Sequence, residues 1–169
     1  MRLAALFIVA AVVALALQSS VLHWLMLGAL VPDLILILVV DLGLKHHGVG
    51  AALLAFAMGL ATDALSGSRV GLNAFMVTLI FLLCYEFSRH LWVASYSVTS
   101  IVVFFAVVIK DVGILAVTGS FNGVGGADPT MMRMILAQAV LTALLALLVF
   151  PALDRGKRLL RLPRHAERE

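Results

Sequence analysis

Residues 101–117 read IVVFFAVVIKDVGILAV, an apolar run interrupted only by the neighbouring charges Lys110 and Asp111. The run belongs to a longer apolar segment, residues 92–117, and a helix that crosses a bilayer needs about 20 mostly apolar residues. A charge at mid-bilayer is costly unless it has a partner or a task. The segment therefore predicts a membrane helix in which the two charged side chains have either a partner or a function.

The whole chain has the same character. It has 169 residues, of which 63% are hydrophobic and 12% charged, and a mean hydropathy of +1.14. A soluble domain is roughly 45–50% apolar and 25% charged, so the composition excludes a water-soluble globule and supplies five or six membrane spans. The single cysteine, Cys84, excludes an intramolecular disulfide and a CxxC metal site.

We therefore predict an all-α polytopic membrane protein, with six transmembrane helices in a compact bundle over residues 1–153. Gly, Pro, polar and charged residues separate the segments. Lipid cannot satisfy the edge of an open sheet, and the continuous apolar runs lack the alternation of a transmembrane barrel. The predicted spans are residues 3–22, 32–44, 49–65, 72–87, 92–117 and 131–153.

The distribution of basic residues predicts the orientation. With the N-terminus in the cytoplasm, nine Lys and Arg residues fall on the cytoplasmic side, and only Arg69 and Arg133 lie near the outer face. The positive-inside rule then places both termini in the cytoplasm. An alternative for the first segment is a cleaved secretory signal, because Arg2 precedes an apolar run with small residues near Ala14 and Ala16.

Residues 154–169 form a predicted basic cytoplasmic tail with six basic residues. Such a segment fixes orientation and contacts anionic lipid; a docking site for a cytoplasmic partner is the alternative. The pI near 9.5 suggests nucleic acid at first, but the concentration of bases at one end favours a topology signal. We expect no nucleic-acid binding.

Several charged residues are predicted to share the outer half of the bundle. They form either an internally neutralised ion-pair network or a recognition site for a partner protein or a small polar ligand. Because neighbours on a helix point about 100° apart, we expect one of Lys110 and Asp111 to pair within the bundle and the other to meet an interface. This predicted outer-face cluster consists of Asp33, Asp63, Arg69, Lys110, Asp111 and Arg133.

Asp41 and Glu86 are predicted near the cytoplasmic ends of the second and fourth helices. Arg89 lies three residues after Glu86 and is its expected structural partner.

Small residues at i,i+4 spacing mark places where helices approach closely. On the third helix, predicted to be short and central, such a stripe is expected to pack inside the bundle. On the first helix, a second stripe serves either the bundle or the helix of another protein. The two stripes are Ala51, Ala55, Gly59 and Asp63, and Ala10, Ala14 and Gln18.

The sequence contains none of the HExxH, GxSxG, Walker or GxGxxG motifs. His46 and His47 are adjacent and lack a third ligand for a metal. We therefore expect no enzymatic activity, no cofactor and no metal.

Residues 59–74 read GLATDALSGSRVGLNA, and Pro32-Asp33 begins the second segment. These stretches resemble the MreD family of rod-shape-determining proteins, most closely over residues 30–75. Glycine permits close helix packing and tight turns, and an aspartate can cap a helix at the membrane surface. The residues that match the family's pattern are Pro32, Asp33, Gly59, Asp63, Gly67, Gly71 and Asn73.

The resemblance implies a non-catalytic, multi-pass scaffold of the bacterial inner membrane. It implies direct binding to MreC and a shared complex with MreB, RodA and a penicillin-binding transpeptidase, which positions peptidoglycan synthesis and maintains rod shape. The family's fold is similar to that of the substrate-binding subunits of energy-coupling-factor transporters, so the alternative is a subunit that binds a vitamin. The loop at residues 119–129 offers a ligand only Phe121, Asn122 and Asp128, which favours the scaffold.

Overall fold

The computed structural model describes residues 2–18, 31–46, 48–66, 71–90, 95–122 and 129–159. These residues form six helices and no strand, which confirms the predicted all-α class. In chain order the helices are α1 (Arg2–Ala16), α2 (Leu34–Lys45), α3 (Val49–Ser66), α4 (Leu72–His90), α5 (Tyr96–Asn122) and α6 (Pro129–Leu159).

Three of these helices are long and apolar enough to cross a membrane. The apolar stretches are Leu72–Arg89 in α4, Tyr96–Thr118 in α5 and Thr130–Lys157 in α6. At 1.5 Å per residue, the stretch in α5 is about 35 Å long, which exceeds the hydrocarbon core of about 30 Å. Two shorter apolar helices, Ala4–Ala16 and Val49–Leu65, accompany them. The protein is therefore an integral membrane protein.

Helix α2 lies at the centre of the bundle. Its residues from Leu34 to Gly43 are all buried, and it contacts each of the other five helices. A helix that is apolar on every face is stable only when it is enclosed. With 12 residues, α2 is about 18 Å long, which is about half the length of the apolar stretch in α5.

The prediction that the third helix is the central one is wrong. Helix α3 exposes Leu53 at 64% and Phe56 at 42% of their surface, so one face of it is free of the bundle. Local sequence cannot distinguish the two helices, since both are short and apolar. Which one becomes enclosed depends on where the other helices pack.

The small residues of α3 do pack inside the bundle, as expected. Ala55 and Gly59 are both buried, and a Cβ atom added at Gly59 would lie 2.5 Å from the Cα of Ala74 in α4. On α1, Ala14 is buried and the Gln18 amide donates to the Pro32 carbonyl at 2.8 Å. The stripe on α3 therefore serves contacts within this chain. The stripe on α1 does so in part, because Ala10 and Ala14 also line an apolar groove that is open to the side.

Each described helix overlaps one of the six predicted spans, and the helix ends differ from the predicted ends by up to six residues. Helix α1 ends at Ala16, and residues 19–22 of the first predicted span lie outside the described residues. Helix α6 continues through Leu159, past the predicted end of the last span at residue 153. The first six residues assigned to the tail are thus helical, and Lys157 among them is buried against the bundle.

Candidate functional site

In the described part of the chain, three groups of hydrogen-bonded or ion-paired residues, each around a buried aspartate, join the helices. Asp33 and Asp41 lie eight residues apart along α2, which separates them by about 12 Å. The third group surrounds Asp63 at the end of α3. We call these groups the Asp33 cluster (Asp33, Lys110, Asp111 and Thr142), the Asp41 cluster (Asp41, Lys45, Asp154 and Lys157) and the Asp63 turn (Asp63, Gly71, Asn73 and Ala74).

Asp33 begins the central helix. It is the N-cap of α2, and its Oδ1 accepts a hydrogen bond from the Leu36 amide at 2.9 Å. Its own amide donates to the Thr142 hydroxyl of α6 at 3.2 Å. An aspartate at this position satisfies an amide that would otherwise lack a partner at the helix start. The preceding Pro32 is also buried, so the start of α2 is fixed from both sides.

Lys110 of α5 supplies the charge that Asp33 requires. Its ammonium donates to Asp33 Oδ2, and both side chains are more than nine-tenths buried. Removing one partner of a buried ion pair leaves an uncompensated charge. The pair therefore ties α5 to the N-terminal end of α2.

Asp111 has an incomplete set of partners. Its Oδ1 lies 3.5 Å from the Lys110 ammonium, and among the described residues its buried Oδ2 has no hydrogen-bond partner. Lys110 thus pairs within the bundle and also reaches the neighbouring carboxylate; the expectation that one of these two residues meets an interface stays a prediction. One cation thus faces two carboxylates in the Asp33 cluster.

The Asp63 side chain lies near the end of α3 and caps the start of the next helix, α4. Its Oδ2 accepts from the amides of Gly71 at 2.9 Å and Ala74 at 3.1 Å. Its Oδ1 accepts from the Asn73 amide at 3.1 Å and the Asn73 side chain at 3.0 Å. Gly71 has a φ of 97°, a conformation that other residues adopt with strain. This explains why the pattern needs aspartate, glycine and asparagine at these positions.

The structure brings together only part of the predicted outer-face cluster. Asp33, Lys110 and Asp111 meet, whereas Asp63 binds the backbone of the α3–α4 turn. Arg133 is exposed on α6. Arg69 lies outside the described residues, as does Gly67 of the family pattern.

The Asp41 cluster was missed by the sequence analysis. Lys157 donates to Asp41 Oδ2, and Lys45 lies 2.7 Å from Asp41 Oδ1 and 3.2 Å from Asp154. The Tyr96 hydroxyl donates to Asp154 at 2.8 Å. Two acids and two bases thus neutralise each other where α2, α5 and α6 meet.

Aromatic rings complete the surroundings of the two lysines in this cluster. The Lys157 ammonium lies 5.1 Å from the centre of the Phe7 ring, and that of Lys45 lies 5.8 Å from the centre of the Phe150 ring. An ammonium within about 6 Å of a ring centre is attracted to the face of the ring. The i,i+4 spacing of Asp41 and Lys45 was the one local signal for this cluster.

Glu86 and Arg89 form the predicted pair at 3.8 Å, with about 60% of each side chain exposed. Such exposed pairs contribute little to stability. Within the described part of the chain, no group of three or more His, Cys, Asp or Glu side chains is arranged to hold a metal.

Comparison with models of protein families identifies the family of the chain. The family model described as rod shape-determining protein MreD matches residues 1–152. No curated protein and no solved structure matches the chain. The matched region includes all of the Asp33 cluster and the Asp63 turn, and it ends just before Asp154. The chain therefore belongs to the MreD family of rod shape-determining proteins.

Proposed function

We propose that the protein is a non-catalytic scaffold of the cell-elongation complex that binds MreC and helps to position peptidoglycan synthesis. Membership of the MreD family carries this proposal, because the family's role is in rod shape determination. MreB, RodA and a penicillin-binding transpeptidase are the further partners in the same complex. The protein would act as a multi-pass protein of the bacterial inner membrane, with both termini in the cytoplasm.

The polar geometry supports a scaffold. The carboxylates of Asp33 and Asp63 accept hydrogen bonds from donors within this chain. They therefore fix the ends of the helices that they cap. A binding partner gains most from a surface that is already rigid, because less conformational entropy is lost on association. We infer that the ends of α2, α3 and α4 near the Asp63 turn either contact MreC or hold the surface that MreC contacts.

Purification of the tagged full-length protein from its native membranes tests the proposal. Mass spectrometry of the eluate should identify MreC and the cell-wall synthases. Recovery of the ATPase subunits of a transporter, or of a tightly bound vitamin, would instead favour the energy-coupling-factor alternative and overturn the scaffold.

Variants near the Asp63 turn test the location. Asp63→Ala and Arg69→Ala should lower the recovery of MreC. Thr62→Ala should not, because the Thr62 hydroxyl donates to the Met58 carbonyl within its own helix. Expression level and monodispersity in detergent control for misfolding. Capture of MreC at the wild-type level by both Asp63→Ala and Arg69→Ala would place the contact elsewhere.

A further inference from the structure

An apolar groove runs along the outside of the bundle between α1 and α6. Its walls are aliphatic side chains of these two helices, and its floor is formed by α2. It has a volume of about 420 Å³ and is open to the side. Representative lining residues are Leu6, Val13 and Leu17 of the first helical segment, Leu38 of α2, and Val149 and Ala152 of α6.

The lining of the groove selects an apolar occupant. From Leu6 to Leu17 the groove follows the chain for about 16 Å at 1.5 Å per residue. Its lining residues are apolar along this length, and burying a polar group without a hydrogen bond is unfavourable. A hydrocarbon chain can lie along such a surface at the usual carbon–carbon contact distance of about 3.5–4.0 Å.

One end of the groove is next to positive charge. Gly156 of α6 lines the groove, and a Cβ atom added there would lie 3.7 Å from Leu6 of α1. The adjacent Arg155 is exposed, and the sequence continues with Arg158, Arg161 and Arg164. Since Lys157 is already paired with Asp41, the exposed Arg155 is a base that can meet an external anion beside Gly156. Basic residues at a membrane surface attract anionic headgroups.

We propose that this groove binds one acyl chain of an anionic phospholipid, whose headgroup lies beside Arg155. The lipid fills the space between α1 and α6 at the level of Leu38, where the two helices do not close on each other. The groove would hold this lipid whether or not the protein binds MreC.

Filling the groove tests the proposal. Ala152 lines the groove and is exposed, whereas Ala137, on the same helix, is exposed and does not line it. The purified full-length protein is delipidated, mixed with phosphatidylglycerol or phosphatidylethanolamine vesicles, and analysed by native mass spectrometry. Ala152→Phe should lower retained phosphatidylglycerol by about tenfold or more, which corresponds to about 1.4 kcal/mol, and Ala137→Phe should retain it. Equal retention by Ala152→Phe and wild type, or equal loss in both variants, would overturn the proposal.

Two measurements keep the test independent of the folding of Ala152→Phe. Arg155→Gln should still retain lipid but lose the preference for phosphatidylglycerol over phosphatidylethanolamine; the absence of any preference in the wild type would refute the assignment of the headgroup. A photocrosslinking residue at position 13 should react with lipid in native membranes. Reaction with a second polypeptide instead would identify a protein helix or a second copy as the occupant and overturn the proposal.

Discussion

At the scale of single residues, Asp63 joins two helices through one side chain. Its two oxygens accept four hydrogen bonds, three from backbone amides of residues 71, 73 and 74 and one from the Asn73 side chain. The amides at a helix start have no partner within the helix. Asp63 therefore supplies from α3 the cap that α4 needs.

Replacing Asp63 removes this cap. Asp63→Ala should lower the free energy of unfolding by about 3 kcal/mol or more, because bonds to a charged acceptor contribute about 1.5–3 kcal/mol each and buried donors are left unsatisfied. Asp63→Asn should lose less, since it keeps one acceptor. The measurement is thermal unfolding in detergent, with Thr62→Ala as the control. An unchanged melting temperature for Asp63→Ala would show that water replaces the carboxylate.

The Asp33 cluster contains one lysine and two carboxylates of unequal importance. Asp33 is paired with Lys110 and caps α2, whereas Asp111 has a buried oxygen without a partner in the described residues. A buried charge without full compensation costs stability. The two aspartates are therefore expected to respond differently to neutralisation.

Neutral variants of Lys110 and Asp111 test this difference between the two carboxylates. Lys110→Met should cost about 3–5 kcal/mol, because it leaves Asp33 as a buried charge without its cation. Asp111→Asn should leave stability unchanged or raise it, since Asp33 still pairs with Lys110. Unfolding of purified variants in detergent measures both effects. A loss for Asp111→Asn as large as that for Lys110→Met would indicate that Asp111 has a partner of equal importance.

At the scale of elements, α3 and α4 approach closely where Gly59 meets Ala74. An added Cβ atom at Gly59 would lie 2.5 Å from the Cα and 3.0 Å from the amide nitrogen of Ala74, and 3.2 Å from the Asn73 carbonyl oxygen. All three are backbone atoms, which cannot rotate away. The two helices would have to separate to admit a methyl group.

Gly59→Ala should therefore lower the free energy of unfolding by about 1–3 kcal/mol, the usual cost of overpacking. Gly50→Ala in the same helix is the matched control, because an added Cβ there meets nothing within 4 Å. It should keep or raise stability, since alanine favours a helix over glycine by about 1 kcal/mol. Thermal unfolding compares the pair, and equal melting temperatures would contradict the close approach.

At the scale of the whole molecule, the enclosed helix α2 is held by an ion-paired cluster near each end. The Asp33 cluster joins it to α5 and α6, and the Asp41 cluster joins it to α6 and, through Tyr96 and Asp154, to α5. Apolar contacts in lipid have no strong direction, because lipid tails are as apolar as the side chains. The ion pairs therefore fix how the helices are placed around α2.

Lys157 and Arg155 test this arrangement at the C-terminal end of α6. Lys157→Met should cost about 3 kcal/mol, because the buried Asp41 keeps only Lys45 as a cation. Arg155→Met, two residues away and exposed, should leave stability unchanged. Unfolding in detergent measures both. An equal loss of stability in both variants would show that the positive charge of the segment stabilises the protein, and not the buried pair of Lys157 and Asp41.

The sequence by itself determined the membrane class and most of the helices. The composition and the apolar runs of about 13 to 26 residues predicted six helical segments, because hydrophobicity acts residue by residue and a helix satisfies its own backbone in lipid. Short-range pairs were equally accessible: Glu86 and Arg89 are three residues apart. The Asp63 turn was accessible too, because its residues all lie within the family pattern at residues 59–74.

Only the tertiary structure decided which helix is enclosed and which distant charges meet. Lys110 pairs with Asp33 across 77 residues of chain and Lys157 with Asp41 across 116. Lys157 belongs to the predicted basic cytoplasmic tail, and its spacing from Asp41 carries no local signal. Hydrophobicity determines that a helix enters the membrane, but its neighbours are chosen by packing and by the pairing of buried charges. Those choices depend on all six described helices at once.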